Sequence, residues 1–144
     1  MESQEFDYNR RSDDGTIASD SRCSHWEREW TRGMNKIGLP GVCNPERVIS
    51  QMEQAGFINV TRLNFKLPIG TWPKDENLRQ AGLFSLVTQL EGYHGLSAKI
   101  FLDLLGYTVD QLEILLMECR QEIKTKAIHS YWPVYVLVQS PQGT

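Results

Sequence analysis

The sequence is poor in cysteine, has no surplus of positive charge and contains no long apolar run, and each shortage argues against a class of protein. Its three cysteines are far apart and show no C-x-x-C spacing, so we expect reduced thiols, with neither a disulfide framework nor a zinc site. A net charge of −3 gives no basic surface for nucleic acid or an anionic membrane. No apolar stretch approaches the ~20 residues of a membrane helix, and the acidic amino terminus has no secretory apolar region. These shortages predict an intracellular protein, cytoplasmic or nuclear, without a metal, a membrane span or a nucleic-acid partner.

The spacing of apolar residues predicts about five helices. Asn44-Pro45 is a typical helix start, with a capping residue followed by proline. A helical block from about residue 75 to residue 125 carries three apolar stripes, and the last stripe begins with the capping box Thr108-x-x-Gln111. An earlier amphipathic helix is indicated by five residues at intervals of three or four, namely Cys23, Trp26, Trp30, Met34 and Ile37.

Three further segments have the patterns of β-strands. The stretch "ESQEFD" near the amino terminus alternates weakly, and "VTRLNFKL" alternates apolar and polar side chains, as a half-exposed strand does. Residues 134–138 are apolar at every position, which is typical of a strand covered on both faces in the middle of a sheet. Such a strand needs a partner strand on each side, and Pro133 should lie at its entrance because proline cannot donate to the ladder.

Three long and chemically unusual stretches carry a family resemblance: "ESQEFDY…RSDDGT", "MEQAGFINVTRLNFKLPIGTWPKDENLRQAGL" and "IHSYWPVYVLV". They resemble the C-terminal half of the fungal LaeA-like S-adenosylmethionine-dependent methyltransferases, and the resemblance covers essentially residues 1–144. It implies an α/β fold, the C-terminal part of a doubly wound, Rossmann-like methyltransferase sheet with three strands. The last strand would lie antiparallel between the other two, and the helical block would form a lid insertion at about 75–125.

The chain lacks the Gly-x-Gly turn that holds the cofactor in such folds. Its closest approach is Gly92-Tyr-His-Gly95, which lies between two helical stripes and follows no strand. The resemblance therefore implies S-adenosylmethionine as the cofactor of the family, with the N-terminal cofactor-binding half missing here. No cofactor-binding residue is predicted, and binding of the cofactor by this chain alone is not expected.

Candidate site residues come from the rule that ligands bind beyond the carboxyl ends of parallel strands in open α/β sheets. Because the last strand runs in the opposite direction, its beginning should share that rim with the ends of the other two strands. We expect His129 there as a catalytic base, since histidine titrates near neutral pH. The other candidates would bind the substrate; they are Glu5, Asp7, Trp72, Tyr131 and Trp132.

Each of these residues also has a purely structural interpretation. His129 and Tyr131 could close hydrogen bonds at a strand start, Trp72 could plug the lid against the sheet, and the acids could be a solvated strand end. Two functions stay open at this level. One is the acceptor-side part of a methyltransferase of secondary metabolism, truncated and inactive alone, with a small-molecule or protein acceptor. The other is a non-catalytic helical interaction module that docks on a partner protein or self-associates through the N-terminal strand edge.

Overall fold

The computed structural model describes residues 1–139, which form a three-stranded sheet and four α-helices. In chain order the elements are β1 (Glu2–Phe6), α1 (Arg22–Lys36), α2 (Pro45–Gln54), β2 (Val60–Pro68), α3 (Glu76–Ala98), α4 (Val109–Ile123) and β3 (Tyr131–Gln139). A π-helical segment, Lys99–Leu104, continues directly from α3.

The helix starts lie where the sequence predicts them. The Asn44 side chain accepts a hydrogen bond from the backbone N–H of Arg47 at the start of α2. At the start of α4, Thr108 and Gln111 each bond the backbone of the other, so both halves of the capping box are formed. Local sequence chemistry therefore determines these two boundaries.

The prediction of about five helices is wrong in its count. The first two stripes of the block 75–125 form one helix, α3, which ends in the π-helical segment instead of breaking. Gly92 and Gly95 lie inside α3 without interrupting it, since a helical glycine weakens a helix by only about 1 kcal/mol. Gly106, at a positive φ of 75°, provides the actual break before α4.

The sheet has the order β1-β3-β2, with β3 antiparallel to both neighbours. Val134 pairs with Phe6 on one side and with Phe65 on the other. The expectation of a last strand between the other two is therefore confirmed. Pro133 lies near the entrance of β3, and its carbonyl accepts the backbone N–H of Asp7 at 3.0 Å.

The two faces of β3 are covered to different extents. Tyr135 and Leu137 are buried on the face against which α2 packs. Val134 and Val136 lie on the opposite face, called here the Trp132 face, and are only half-buried. Their neighbour Phe65 is 54% exposed. The prediction of a strand covered on both faces is therefore wrong for residues 134–138, because the helices of residues 1–139 leave this part of the Trp132 face open.

The main core lies between the helices and the beginning of β3. It is built from α1, α3, the π-helical segment and α4, and the Trp26 indole at its centre donates to the Ser97 hydroxyl at 2.8 Å. Trp26 is buried in this core, whereas Trp30 on the same face of α1 is only half-buried. Cys23 and Cys119 are both fully buried, and the structure records them as free thiols.

A buried ion cluster fixes the loop after β1 to these helices. The Arg10 Nε atom lies 2.6 Å from a Glu27 carboxylate oxygen, and Arg10 Nη2 lies 3.3 Å from Glu122. The Glu122 carboxylate also accepts the Ser21 hydroxyl at 2.6 Å. Burial raises the pKa of Glu27. The cluster therefore joins three segments through charges that are largely removed from water.

No helix within residues 1–139 combines the length and the apolar character needed to cross a membrane.

Candidate functional site

Three segments that are distant in sequence meet at one rim of the sheet. β2 ends at Pro68, which pairs with Tyr131 at the start of β3, and β1 ends at Phe6, which pairs with Val134. The loop after β1 then returns to β3, where the backbones of Arg11 and Tyr131 exchange two hydrogen bonds of 2.9 Å. This bridge brings the loop of residues 12–16 over the entrance of β3.

His129 is held at this rim from three sides. Its Nδ1 atom lies 2.6 Å from Asp14 Oδ2, and its backbone N–H donates to the Thr16 hydroxyl at 2.8 Å. Its ring stacks on the Trp72 indole with a centroid separation of 5.1 Å. The imidazole is 41% exposed, so it combines a fixed orientation with access to solvent.

Trp72 and Tyr131 line a cavity of about 290 Å³ beside His129. The Trp72 indole N–H donates to the Ser130 carbonyl at 3.1 Å, which fixes one wall. The Tyr131 hydroxyl donates to Asp13 at 2.8 Å, and the Lys66 ammonium lies 5.1 Å from the centre of the Tyr131 ring. Lys74 and Asp75 also line the cavity, which therefore joins an aromatic surface to two carboxylates and two ammonium groups.

The two aspartates of the returning loop are held in their charged forms. Hydrogen bonds from Lys66 and Tyr131 lower the pKa of Asp13. The hydroxyl of Ser12, the ring of His129 and the hydroxyl of Thr16 hold the pKa of Asp14 well below its usual range. An ionised Asp14 beside Nδ1 favours the tautomer that carries its proton on Nδ1, and this leaves Nε2 to accept a proton.

The remaining predicted residues are not all at this cavity. Trp132 points to the opposite face of the sheet, where it meets Tyr8 in an edge-to-face contact of 5.9 Å. Glu5 pairs with Tyr135, further along the sheet, and lines a different cavity. Asp7 is buried near the rim, where it forms an ion pair with Arg11 at 3.1 Å. Trp72 and Tyr131 therefore line one cavity, and His129 stacks on Trp72 next to it without lining it. The structure separates Trp132 and Glu5 from this site.

Asp13, Asp14 and Thr16 were not predicted as site residues. They belong to the polar stretch "NRRSDDGT", which has the composition of an ordinary loop. Their contacts with His129 and Tyr131 span more than 110 positions of sequence. The only sequence signal was the pair of adjacent aspartates within a stretch that carried the family resemblance.

Within residues 1–139, the two helices that follow β1 and β2 have N-terminal amide groups bonded by side chains of the same chain. The helix that follows β1 has its first amide groups occupied by a protein carboxylate, because Glu122 accepts the N–H of Arg22 at 2.7 Å and that of Cys23 at 3.4 Å. The N-terminus of α3 is capped by Asp75. Neither helix follows a Gly-x-Gly turn, since the sequence contains none. Residues 1–139 also contain no group of three side chains placed to bind a metal.

Comparison with known proteins relates the chain to fungal methyltransferases. It is 31% identical over 137 residues to the "Probable methyltransferase tdiE" of Emericella nidulans, a match that covers 95% of this chain and 43% of the relative. It is 30% identical to "Methyltransferase pytC" of Aspergillus terreus, covering 88% of this chain and 39% of the relative.

A more distant similarity extends to the LaeA proteins. The chain is 24% identical to the "Protein-methionine methyltransferase laeA" of Chaetomium globosum, over 91% of its own length and 41% of the relative. Other relatives bear the name "Secondary metabolism regulator". The chain thus spans about two fifths of the length of the curated relatives it matches. No protein-family model matches it, and no solved structure is similar to it at a significant level.

Proposed function

From its membership of the fungal LaeA-like methyltransferase family, as a partial-length relative, we propose that this chain is the acceptor side of a methyltransferase. Its three strands would be the C-terminal strands of a doubly wound sheet, and the helices of residues 76–123 would cap the rim. The longer relatives would supply a cofactor-binding half, since residues 1–144 contain no Gly-x-Gly turn. The observation that carries the proposal is the Asp14–His129–Trp72 arrangement at the strand rim.

The rim supplies the two functions that an acceptor site needs. Trp72 and Tyr131 offer flat walls that orient an acceptor, and methyl transfer depends chiefly on such alignment. His129 acts as the general base: Asp14 holds Nδ1, and Nε2 takes the proton of the acceptor as the new bond to carbon forms. The methyl group itself would come from S-adenosylmethionine held outside this chain.

The names of the relatives fit two classes of methyl acceptor, and the chemistry of His129 narrows the choice of acceptor group. One of them is named for methylation of protein methionine and two are named simply as methyltransferases, so both small-molecule and protein acceptors fit. A methionine thioether has no proton to lose, whereas a hydroxyl or an amine has one. A base such as His129 therefore favours an acceptor with an O–H or N–H group, in the setting of fungal secondary metabolism.

We expect the rim residues to affect turnover more than stability. In a chimaera in which this chain replaces the matching stretch of the Emericella nidulans relative, His129→Ala should lower methyl transfer by about 10²-fold or more, because a positioned base is lost. Trp72→Ala should lower it as well. Transfer of tritiated methyl groups into fractions of a fungal extract measures this, and thermal melting of the same variants measures stability.

His94→Ala is the matched control, since His94 is an exposed histidine whose Nε2 lies 3.5 Å from Glu113, outside the rim. It should leave transfer unchanged. If His129→Ala and Trp72→Ala lose melting temperature in proportion to activity, both residues are structural and the proposed role is wrong.

The second candidate function is a non-catalytic interaction module. It is favoured by exposed apolar side chains on α3, among which Phe84 is 72% exposed. A chimaera that binds S-adenosylmethionine but transfers no methyl group would favour this module. Transfer that depends on His129 would favour the acceptor-side proposal.

A further inference from the structure

A cavity lined by basic side chains lies on the face of the sheet that carries Tyr135. Side chains of a strand alternate between its faces, so Arg62 and Lys66 of β2 share this face with Tyr131 and Tyr135 of β3. Arg11 joins them through its backbone bridge to Tyr131. These five residues line a cavity of about 350 Å³, called here the basic cavity. Its volume is near the lower end of the range for ligand pockets and suits a small molecule.

Two of the cations flank Tyr135 across the strand pair. Arg62 pairs with Leu137 and Lys66 pairs with Pro133, and these are the positions two residues on either side of Tyr135. Diagonal neighbours of this kind lie within reach of long side chains. The two positive charges therefore approach the Tyr135 ring from opposite ends.

Three cations and no carboxylate line the basic cavity, although the chain as a whole has a net charge of −3. Each cation has an acidic partner outside the lining; the pairs are Arg11–Asp7, Arg62–Glu46 and Lys66–Asp13. The Glu46 side chain is 71% exposed and that of Asp13 is 63% exposed. Exposed ion pairs contribute little free energy, so a bound anion can share Arg62 and Lys66 with these acids at little cost.

Tyr135 supplies a free hydroxyl to the same cavity. The residue is only 9% exposed, and its hydroxyl has no hydrogen-bond partner within residues 1–139, whereas the Tyr131 hydroxyl donates to Asp13. Among these residues, the one side-chain polar atom that is both sealed from solvent and unbonded is Nη1 of Arg10. The Tyr135 hydroxyl is therefore open to a ligand, and it can donate to an oxygen of a bound anion.

The rest of the lining distinguishes an organic acid from a bare ion. The rings of Tyr131 and Tyr135 and the ring carbons of Pro45 and Pro133 also line the cavity. A flat aromatic body would remove these surfaces from water, whereas an inorganic anion would not. A guanidinium group binds a carboxylate with two parallel hydrogen bonds. A carboxylate attached to an aromatic ring therefore uses both parts of the lining.

We propose that the basic cavity binds a small aromatic carboxylate. The carboxylate accepts hydrogen bonds from Arg62 and from the Tyr135 hydroxyl, and its ring packs on Pro133. The basic cavity shares Lys66 and Tyr131 with the rim cavity, but neither His129 nor Trp72 lines it. The proposal therefore does not depend on methyl transfer and holds under either candidate function.

Salicylate is the probe, because it is small, aromatic and fluorescent, and salicylamide is the matched neutral compound. Titration of salicylate with the full chain, followed by fluorescence anisotropy, should saturate at one probe per chain with a Kd below about 1 mM. Salicylamide should bind at least about 10-fold more weakly, because it cannot form the charge-assisted hydrogen bonds.

Two variants remove the proposed contacts one at a time. Arg62→Gln should weaken salicylate binding about 10-fold, and Tyr135→Phe about 3- to 10-fold, as the loss of one hydrogen bond does. Arg79→Gln is the control, since Arg79 is 45% exposed, pairs with an exposed Glu76 and does not line the cavity. It should bind salicylate like the original chain. Thermal melting should show that all three variants stay folded, because Arg62 and Arg79 pair with exposed acids and the Tyr135 hydroxyl is unbonded.

Four results would overturn the proposal. The first three are anisotropy that never saturates, equal affinities for salicylate and salicylamide, and equal binding by the Arg62→Gln and Arg79→Gln variants. The fourth is displacement of salicylate by inorganic phosphate at an equal concentration, which would show that charge alone selects the ligand and that the aromatic ring contributes nothing.

Discussion

Replacing Arg10 by methionine is expected to lower the free energy of unfolding by about 3–5 kcal/mol, because it leaves an unpaired carboxylate in the protein interior. The Arg10 side chain is 2% exposed and its partner Glu27 is 9% exposed. The same guanidinium also lies within hydrogen-bond distance of Ser21 and Glu122. Urea unfolding, followed by tryptophan fluorescence at constant protein concentration, measures the loss.

Two further variants test whether the loss of stability comes from the unpaired buried carboxylate and not simply from replacing an arginine. Arg79→Met removes a side chain that is 45% exposed and whose ion-pair partner Glu76 is 65% exposed, so its effect should stay below about 1 kcal/mol. The double variant Arg10→Met/Glu27→Met removes the stranded carboxylate and should recover much of the stability. If the double variant is as unstable as Arg10→Met alone, the cost is a packing defect and the electrostatic explanation is wrong.

The chain is expected to self-associate through the outer edge of β1. Within residues 1–139 this strand pairs only with β3, so one row of its backbone groups has no partner strand. An unpaired edge of this kind templates pairing with another chain. The half-exposed side chains Phe6 and Tyr8 lie beside it and would be partly covered in a dimer. Sedimentation at several concentrations should show a dimer or a larger species.

The register of β1 allows a sharp test of this edge. Because Asp7 donates to Pro133 and Met1 accepts from Gln139, the odd-numbered residues of β1 bond inward to β3. The N–H of Gln4 therefore points outward. Gln4→Pro should weaken association at least tenfold while it keeps the sheet, since proline is tolerated where a strand edge faces solvent.

Ser3→Pro is the control, because Ser3 bonds inward, and it should lower stability. A clean monomer for the original chain, with cooperative melting and protected amides at residues 3–8, would show that the edge needs no partner and that the chain is a complete domain.

Local sequence patterns predicted where helices and strands begin and end better than they predicted which of their side chains are covered. The caps at Asn44 and Thr108 depend on neighbours within four residues, so the sequence contains all the information needed. The convergence of strand ends at the rim followed from the family resemblance and the direction of the last strand. The prediction that β3 is covered on both faces failed at Val134 and Val136. An apolar run does not show whether another element of the chain packs on each face.

The contacts around the site could not be read from the sequence in the same way. The position of Asp14 depends on the Arg11–Tyr131 bridge, a tertiary contact between residues far apart in the chain. Similarly, Tyr131 and Trp132 are adjacent in sequence but belong to cavities on opposite faces of the sheet. Their separation is a consequence of strand geometry, in which successive side chains alternate.

The central claim is that this chain provides the acceptor side and not the cofactor side of a methyltransferase. Titration calorimetry with S-adenosylmethionine tests it most directly, with the chimaera described above as the positive control. We predict micromolar binding by the chimaera and no measurable heat from the isolated, folded chain, because the chain has no Gly-x-Gly turn and the first amides of α1 are occupied by Glu122. A micromolar Kd for the isolated chain would contradict the account.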